Sequence, residues 1–306
     1  MTDITNPIYS DANKAREHLE ALHWPQGPVC PRCGSMDRIT KLAGKSTRPG
    51  VHKCNECAKP FTVTVGTVME DSKIPLNKWL LAFRLLAGGK KGFSAYELHR
   101  ALGITYKSAW FLEHRIREAM KSDGGPMGGP DMVVEADETY VGGKAKNRAT
   151  RKPAAKKAVV ALVERDGMAR SFHVGNVTAN NLRPLIVTNV DRASTLMTDE
   201  SPVYTRVGRE FNGHHAVNHS AGEYVALGGF KHSNTAENFF SIFKRGVVGT
   251  YHHMSEAHLA RYCAEFDFRY NTRAALGFND VERTALAVKG ARGKRLTYRQ
   301  PRSLAA

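Results

Sequence analysis

Long apolar runs are missing from this sequence. The greasiest stretch, residues 79–87, is broken by Arg84 and falls far short of the roughly 20 residues a bilayer-spanning helix needs. The opening Met-Thr-Asp-Ile-Thr-Asn-Pro has neither the positive segment nor the apolar segment of a secretory signal. The expectation is a cytoplasmic protein with no membrane partner. Cysteine is scarce, with five in 306 residues. In a reducing compartment that argues against a disulfide framework and leaves metal binding as the use for paired thiols. Acids are in deficit: 29 Asp and Glu stand against 45 Lys and Arg, a formal charge of +16. Such an excess favours a polyanionic partner, although a basic enzyme that touches no nucleic acid has the same composition. No internal repeat is present.

What is present is an ordinary globular composition, 42% aliphatic and aromatic, in a chain long enough for two or three modest domains. The cations gather in blocks. Residues 144–157 hold seven and no acid, and residues 283–302 hold another seven and no acid. Such blocks are read as arms that lie along phosphates, or as solvated tails.

Four segments follow from the pattern. Residues 1–72 open with helical spacing over 10–23, carried by Ala12, Ala15, His18, Leu19 and Leu22 with Ser10 or Asp11 as the cap. A Gly/Pro-rich stretch with four of the five cysteines comes next, then a strand-like alternation over 61–68 with Gly66 as a turn or bulge. Residues 73–125 read as three helices, 76–86, 95–102 and 105–120, and the Gly/Pro run 123–130 reads as a linker. Residues 126–275 mix strands at 133–137, 158–164, 169–174 and 195–199 with helices at 180–188 and 234–247. That order predicts an α/β or α+β domain with a mixed sheet. Residues 276–306 read as a basic tail.

Cys30-Pro-Arg-Cys33 and Cys54-Asn-Glu-Cys57 form two C-x-x-C knuckles, with twenty residues between Cys33 and Cys54. Each knuckle offers two thiolates on one tight turn, and the spacer lets a small sheet bring the turns together around one Zn²⁺. A domain of about fifty residues seldom builds an adequate core alone, so the metal would supply much of its folding free energy. A closed four-thiolate site has no open position for chemistry, which places any active site elsewhere. Cys263 lies on a mostly apolar helical run near Tyr262 and Phe266 and reads as a buried thiol.

Over residues 93–117, Ala95, Leu98 and Leu102 give one helix an inner face and Gly103 supplies the left-handed residue that closes it. Thr105 caps the next helix, whose Ala109, Leu112 and Ile116 pack back on the first. In a helix-turn-helix this leaves Tyr106, Lys107, Ser108 and Arg115 for a major groove and its phosphates. The alternative is a plain helical hairpin.

Metal-dependent DNA chemistry needs carboxylates converging from different parts of a fold. Asp137 follows Val133-Val134-Glu135-Ala136, and Asp199 follows Thr195-Leu196-Met197-Thr198. Glu135, Glu138 and Glu200 compete as neighbours. On the helix beginning at Asn234, Phe239, Phe240, Ile242, Phe243 and Val247 share one side. Glu237, Ser241 and Lys244 fall opposite, and Asn238 is rotated toward the packed side. The alternative is a solvated face with a weak charge pair.

Together these motifs resemble the DDE-type insertion-sequence transposases, in particular the ISXO-like branch with an N-terminal zinc ribbon. The most specific pieces are Glu135-Ala136-Asp137-Glu138-Thr139-Tyr140-Val141-Gly142-Gly143 and His232-Ser233-Asn234-Thr235-Ala236-Glu237-Asn238-Phe239-Phe240-Ser241. Lys244-Arg245-Gly246 and Thr250-Tyr251-His252-His253 extend the second. The resemblance implies an α+β multidomain chain: zinc ribbon, helix-turn-helix, ribonuclease H-like mixed-sheet catalytic domain and basic C-terminal tail. It maps a triad onto Asp137, Asp199 and Glu237 holding two Mg²⁺ or Mn²⁺ ions, with Lys244 as the trailing base near a phosphate. The third position is Asn in some branches, and Asn234 and Asn238 flank Glu237. The implied partners are double-stranded DNA, at element ends and target, and at least one further copy of the chain. A zinc-ribbon transcription regulator would need no triad, and a stand-alone nuclease or resolvase would cut without joining 3′ ends to a target.

Overall fold

A computed structural model describes residues 4–122, 124–142, 156–217 and 232–298. In chain order the first elements are α1 (Ala12–His23), β1 (Ile39–Lys41), β2 (His52–Cys54), β3 (Pro60–Phe61), α2 (Leu76–Gly88), α3 (Ala95–Leu102) and α4 (Tyr106–Met120). There follow β4 (Val133–Val141), β5 (Lys157–Glu164), β6 (Ala169–Val174), α5 (Ala179–Asn189), β7 (Thr195–Asp199), α6 (Pro202–Gly208) and β8 (Gly213–Val217). The last are α7 (Asn234–Gly246), α8 (Glu256–Asn271) and α9 (Asp280–Lys289). Among the described residues no helix is long and apolar enough to cross a membrane.

The chain divides into two compact units. The first takes Met1–Gly89, Phe93–Lys121 and Phe278–Ala306, so the ribbon, the helical hairpin and the C-terminal segment cluster together. The second takes Lys90–Gly92 and Ser122–Gly277.

In the first unit, antiparallel strands β1, β2 and β3 make a small sheet. Trp24 stands edge-on to both His52 and Phe61 behind it. The alternation over 61–68 does not extend β3. Its backbone turns instead, with Val65 N–H donating to Thr62 O and Thr67 N–H to Thr64 O, and Gly66 takes φ +73°. Val63 and Val68 are buried, and beyond these turns the chain makes only a single antiparallel bridge, Thr67 to Arg292, with the Val68 N–H donating to Ala291 O. The hairpin follows its local code closely. Ser94 and Glu97 form a capping box on α3, Gly103 ends it at φ 58°, and the Thr105 hydroxyl caps α4.

The segment read as a basic tail contains α9. Thr284, Ala287, Val288 and Ala291 are buried along one stripe, while the cations that dominate the composition lie on the other side or donate to carbonyls. Arg84 pairs with Asp280 at 3.0 Å, and His23 Nε2 meets the Val288 carbonyl at 3.1 Å. Gly290 sits so close to α4 that an added Cβ would fall 2.4 Å from the Ala119 carbonyl oxygen. Residues 292–298 then run along α4 as a strap. Lys294 donates to the Ala119 and Lys121 carbonyls, Arg295 pairs with Asp71 at 2.7 Å, and the Tyr298 ring meets Phe111.

Arg115, expected at a DNA groove, belongs to this fastening. It is 7% exposed, donates from Nε to Leu296 O at 3.1 Å and from Nη2 to Glu70 O at 2.6 Å, and lies over the Phe111 ring. Helical periodicity put Arg115 on the open face because the sequence around it does not show the strap that covers it.

The second unit is built on a five-stranded mixed sheet ordered β6-β5-β4-β7-β8. β4 pairs antiparallel with β5 and parallel with β7, and β8 is parallel to β7. Val159, Ala161 and Val163 face Phe239, Phe240 and Phe243 of α7 and Leu259 and Phe266 of α8. Val134, Ala136, Val160 and Leu162 face Leu182 and Ile186 of α5 and Tyr204 and Val207 of α6. Part of the stretch read as a linker is fastened to this sheet domain. Met127 is buried and bridges Val190, the Gly128 N–H donates to Glu164, and the Gly129 N–H donates to Ser194. The basic block 144–157 lies almost wholly outside the described residues.

Losing both buried carbonyl ties in Arg115→Ala should lower stability by about 2–4 kcal/mol and leave the DNA affinity of the still-folded chain unchanged. Urea titration and a DNA-binding isotherm at low denaturant check this. An unchanged midpoint with weakened binding would return Arg115 to the groove.

Candidate metal centres

The four knuckle cysteines come together as the two turns require. Their sulfur atoms all lie within 4.8 Å of one another, and among the described residues no other group of His, Cys, Asp and Glu does so. Cys30 and Cys57 sulfurs are 3.7 Å apart, and Cys33 and Cys54 sulfurs 3.6 Å apart. A tetrahedron with metal–sulfur bonds of about 2.3 Å has edges of about 3.8 Å, whereas a disulfide would need about 2.05 Å. The cage therefore fits a tetrahedral ion. Backbone donors help to hold thiolate: the Cys57 N–H brings the Cys54 thiol down to about 7. At Cys33 the Ser35 N–H acts in the same direction, but the neighbouring sulfurs and burial outweigh it and push that thiol up to about 12. Crowded thiols share protons until a cation replaces them. Cys263, by contrast, is buried on α8 and its thiol is raised by burial.

The carboxylates gather in the second unit. Strand parity places Glu135, Asp137 and Thr139 on the α7–α8 face of β4, and Ala136 and Glu138 on the α5–α6 face. The β4–β7 register runs from Val133↔Thr195 to Glu135↔Met197. Asp137 and Asp199 each lie two residues beyond the last pair of that register. α7 covers the face of β4 that bears Asp137, and Glu237 lies in its first turn. The proximity is electrostatic as well. Burial pushes the Asp137 carboxyl up to about 7; the Glu138 N–H opposes this, and the charges of Glu138, Asp199 and Glu237 add to it. Hard oxygen donors that raise one another's proton affinity suit a divalent cation, which relieves the same repulsion.

Two of the rival acids, Glu135 and Glu138, have partners of their own. Glu135 is fully buried and accepts from Arg165, from the Thr235 hydroxyl and from the backbone of Thr235 and Ala236. Glu138 accepts the Tyr204 hydroxyl on the opposite face and is raised by burial. Neither Tyr204 nor Arg165 stood out in the sequence, since nothing local marks a distant side chain as the partner of a buried acid. Asn234, Glu237, Asn238, Ser241 and Lys244 are all exposed on α7. Asn238, expected on the packed side, is thus on the open one, because Ala236, Phe239, Phe240 and Phe243 define a narrower buried stripe than the aromatic run implied.

At the head of α4, Tyr106 and Lys107 are exposed and Ser108 is half-buried. The Tyr106 ring lies 4.6 Å from the Tyr96 ring, and Lys107 Nζ lies 4.9 Å from the centre of the Tyr298 ring.

Residues 127–271 match the ISXO2-like transposase domain, and residues 10–60 match the transposase zinc-ribbon domain. A protein in transposable element ISH50 of Halobacterium salinarum is 25% identical over 274 residues, which cover 84% of this chain and 90% of that protein. Four cysteines in a matched zinc ribbon point to a structural zinc.

Purified protein should carry one zinc per chain, read by elemental analysis. Cys54→Ser should lose it and open the first unit to protease while residues 156–217 and 232–277 stay protected. Full protection without zinc would remove the metal from the account of the fold.

Proposed function

Because the chain belongs to the ISXO2-like transposases, with a zinc ribbon and a transposase domain on one polypeptide, we propose that it binds the ends of an insertion sequence and cuts and joins DNA at the Asp137–Asp199–Glu237 cluster. One observation carries this reading: Asp137 and Asp199 each lie two residues past the paired stretch of the parallel strands β4 and β7, Glu237 lies in the first turn of α7, and the charges of Asp199 and Glu237 are felt at Asp137. The strand order supports a ribonuclease H-like domain, an antiparallel meander β4-β5-β6 followed by β7 and β8 parallel to the first strand.

In this reading Asp137, Asp199 and Glu237 hold two Mg²⁺ or Mn²⁺ ions. Bound there, such ions activate water or a 3′-hydroxyl and stabilise the leaving oxygen. Asn234, also exposed in the first turn of α7, is the rival third ligand. The case for Glu237 is that its charge is felt at Asp137. Lys244, near the end of α7, would contact a phosphate beside the cut.

End recognition falls to the helix-turn-helix reading of α3 and α4, with Tyr106, Lys107 and Ser108 toward the groove and Arg115 left out. The remaining basic surface adds sequence-independent, salt-sensitive affinity. Bringing two ends together calls for at least a dimer.

Asp137→Asn, Asp199→Asn and Glu237→Gln should each abolish Mg²⁺-dependent cleavage and strand transfer while leaving end binding intact. Lys244→Ala should weaken cleavage in a way added Mn²⁺ does not restore. Assayed side by side, an active Glu237→Gln with an inactive Asn234→Ala would move the third ligand to Asn234. Tyr106→Ala with Lys107→Ala should weaken end binding by about 2–4 kcal/mol, at one to two per contact; normal binding would make the hairpin a packing element.

A further inference from the structure

Both carboxylate oxygens of Glu135 are occupied by the protein. Oε1 accepts from Arg165 Nε at 2.8 Å and from the Thr235 hydroxyl at 3.0 Å, and His232 Nδ1 lies 3.2 Å away. Oε2 accepts the backbone N–H groups of Thr235 and Ala236 at 2.9 and 3.0 Å. Those N–H groups belong to the first turn of α7, whose own N-cap, Ser233, accepts none of them with its side chain; the Ser233 hydroxyl donates instead to Glu237 Oε1 at 3.4 Å. A buried carboxylate on a strand therefore takes the place of the local cap, with the helix dipole favouring its charge. Arg165 works at the same junction, donating from Nη2 to the His232 carbonyl at 2.8 Å.

The position of this clamp is more telling than its strength. Asp137 follows Glu135 by two residues on the same face of β4, about 6.6–6.8 Å along the strand. Glu237 follows Thr235 by two residues and Ala236 by one. A single carboxylate thus ties the strand bearing one candidate ligand to the helix turn bearing another. Its lone pairs are committed and Arg165 offsets its charge, so it does not compete for the cation.

We infer that Glu135 is a positioning residue: it locks the first turn of α7 to β4 and thereby sets Glu237 opposite Asp137 for a divalent cation. This rests on the carboxylate reading above. A clamp that served stability alone would act on folding and not on the geometry between the two ligands.

Mn²⁺ binding to the full-length, zinc-loaded chain, followed by electron paramagnetic resonance, separates the two. Glu135→Gln keeps the size but turns an amide NH₂ toward either the α7 N–H groups or Arg165. It should weaken Mn²⁺ binding by about 10- to 100-fold, the usual effect of removing a group that orients a ligand. Most of that loss should disappear when Glu237→Gln is already present, because no ligand is then left to place. If Glu135→Gln does not fold, Thr235→Val removes one donor and should give a loss of about 2- to 10-fold with the same dependence on Glu237. Unchanged Mn²⁺ binding in whichever variant folds, or a loss that adds in full to that of Glu237→Gln, overturns the inference and leaves the carboxylate reading standing. A wild-type chain whose Mn²⁺ binding is indifferent to Asp137→Asn overturns both.

Discussion

β4 is paired on both edges and covered on both faces, and the second unit is organised around that constraint. The antiparallel ladder with β5, from Val134↔Glu164 to Val141↔Lys157, leaves no freedom in register. A slip of one residue would exchange the faces, sending Asp137 toward α6 and Glu138 toward α7. Parallel pairing with β7 as far as Glu135↔Met197 then puts Asp137 and Asp199 each two residues past the last pair. The face on which each acid of β4 stands is thus a consequence of strand parity in a sheet whose two faces bury different helices. The mouth at the carboxyl ends of parallel strands is where such sheets commonly place their ligands.

Acids crowded into one region must each be compensated, and the way each is compensated separates structure from chemistry. Glu135 is saturated by a cation and by helix N–H groups, whereas Glu138 accepts one tyrosine hydroxyl. Asp267, on α8, accepts both the backbone N–H and the hydroxyl of Ser171, though burial still raises it to about 7. Asp137 receives the N–H of its own neighbour, Glu138, and stands among the negative charges of Glu138, Asp199 and Glu237. A buried carboxylate whose charged neighbours are other carboxylates is a candidate to meet a cation.

The first unit solves a different problem, a small ribbon and short helices with little core apiece. The cysteine cage closes the ribbon, and the helices are sewn together by charged side chains that end on backbone carbonyls, as Arg115 does with Leu296 and Glu70 and Lys294 with Ala119. Arg117 and Glu113, one turn apart inside α4, are paired at 3.0 Å and almost fully buried. Breaking one member of such a pair costs more than the pair contributes, because the other is left charged in a dry site. Much of the positive charge in this unit therefore serves the fold, and a count of cations overstates what is free for a polyanion.

Features encoded between near neighbours could be read from the sequence alone. The two C-x-x-C turns, the left-handed Gly103, the Thr105 cap and the strands Ala169–Val174 and Thr195–Asp199 each depend on a few adjacent side chains. The tertiary structure alone decided what became of the charges. Arg115 meets Leu296 at a separation of 181 residues, and Glu135 meets Thr235 at 100. Helical periodicity says which way a side chain points but not what is laid over it, so an arginine on an open face and one under a strap look alike in sequence. The same holds for Glu135 and Asp137. Both are acids on one face of one strand, and only the helix N-terminus brought down upon the first makes it part of the scaffold.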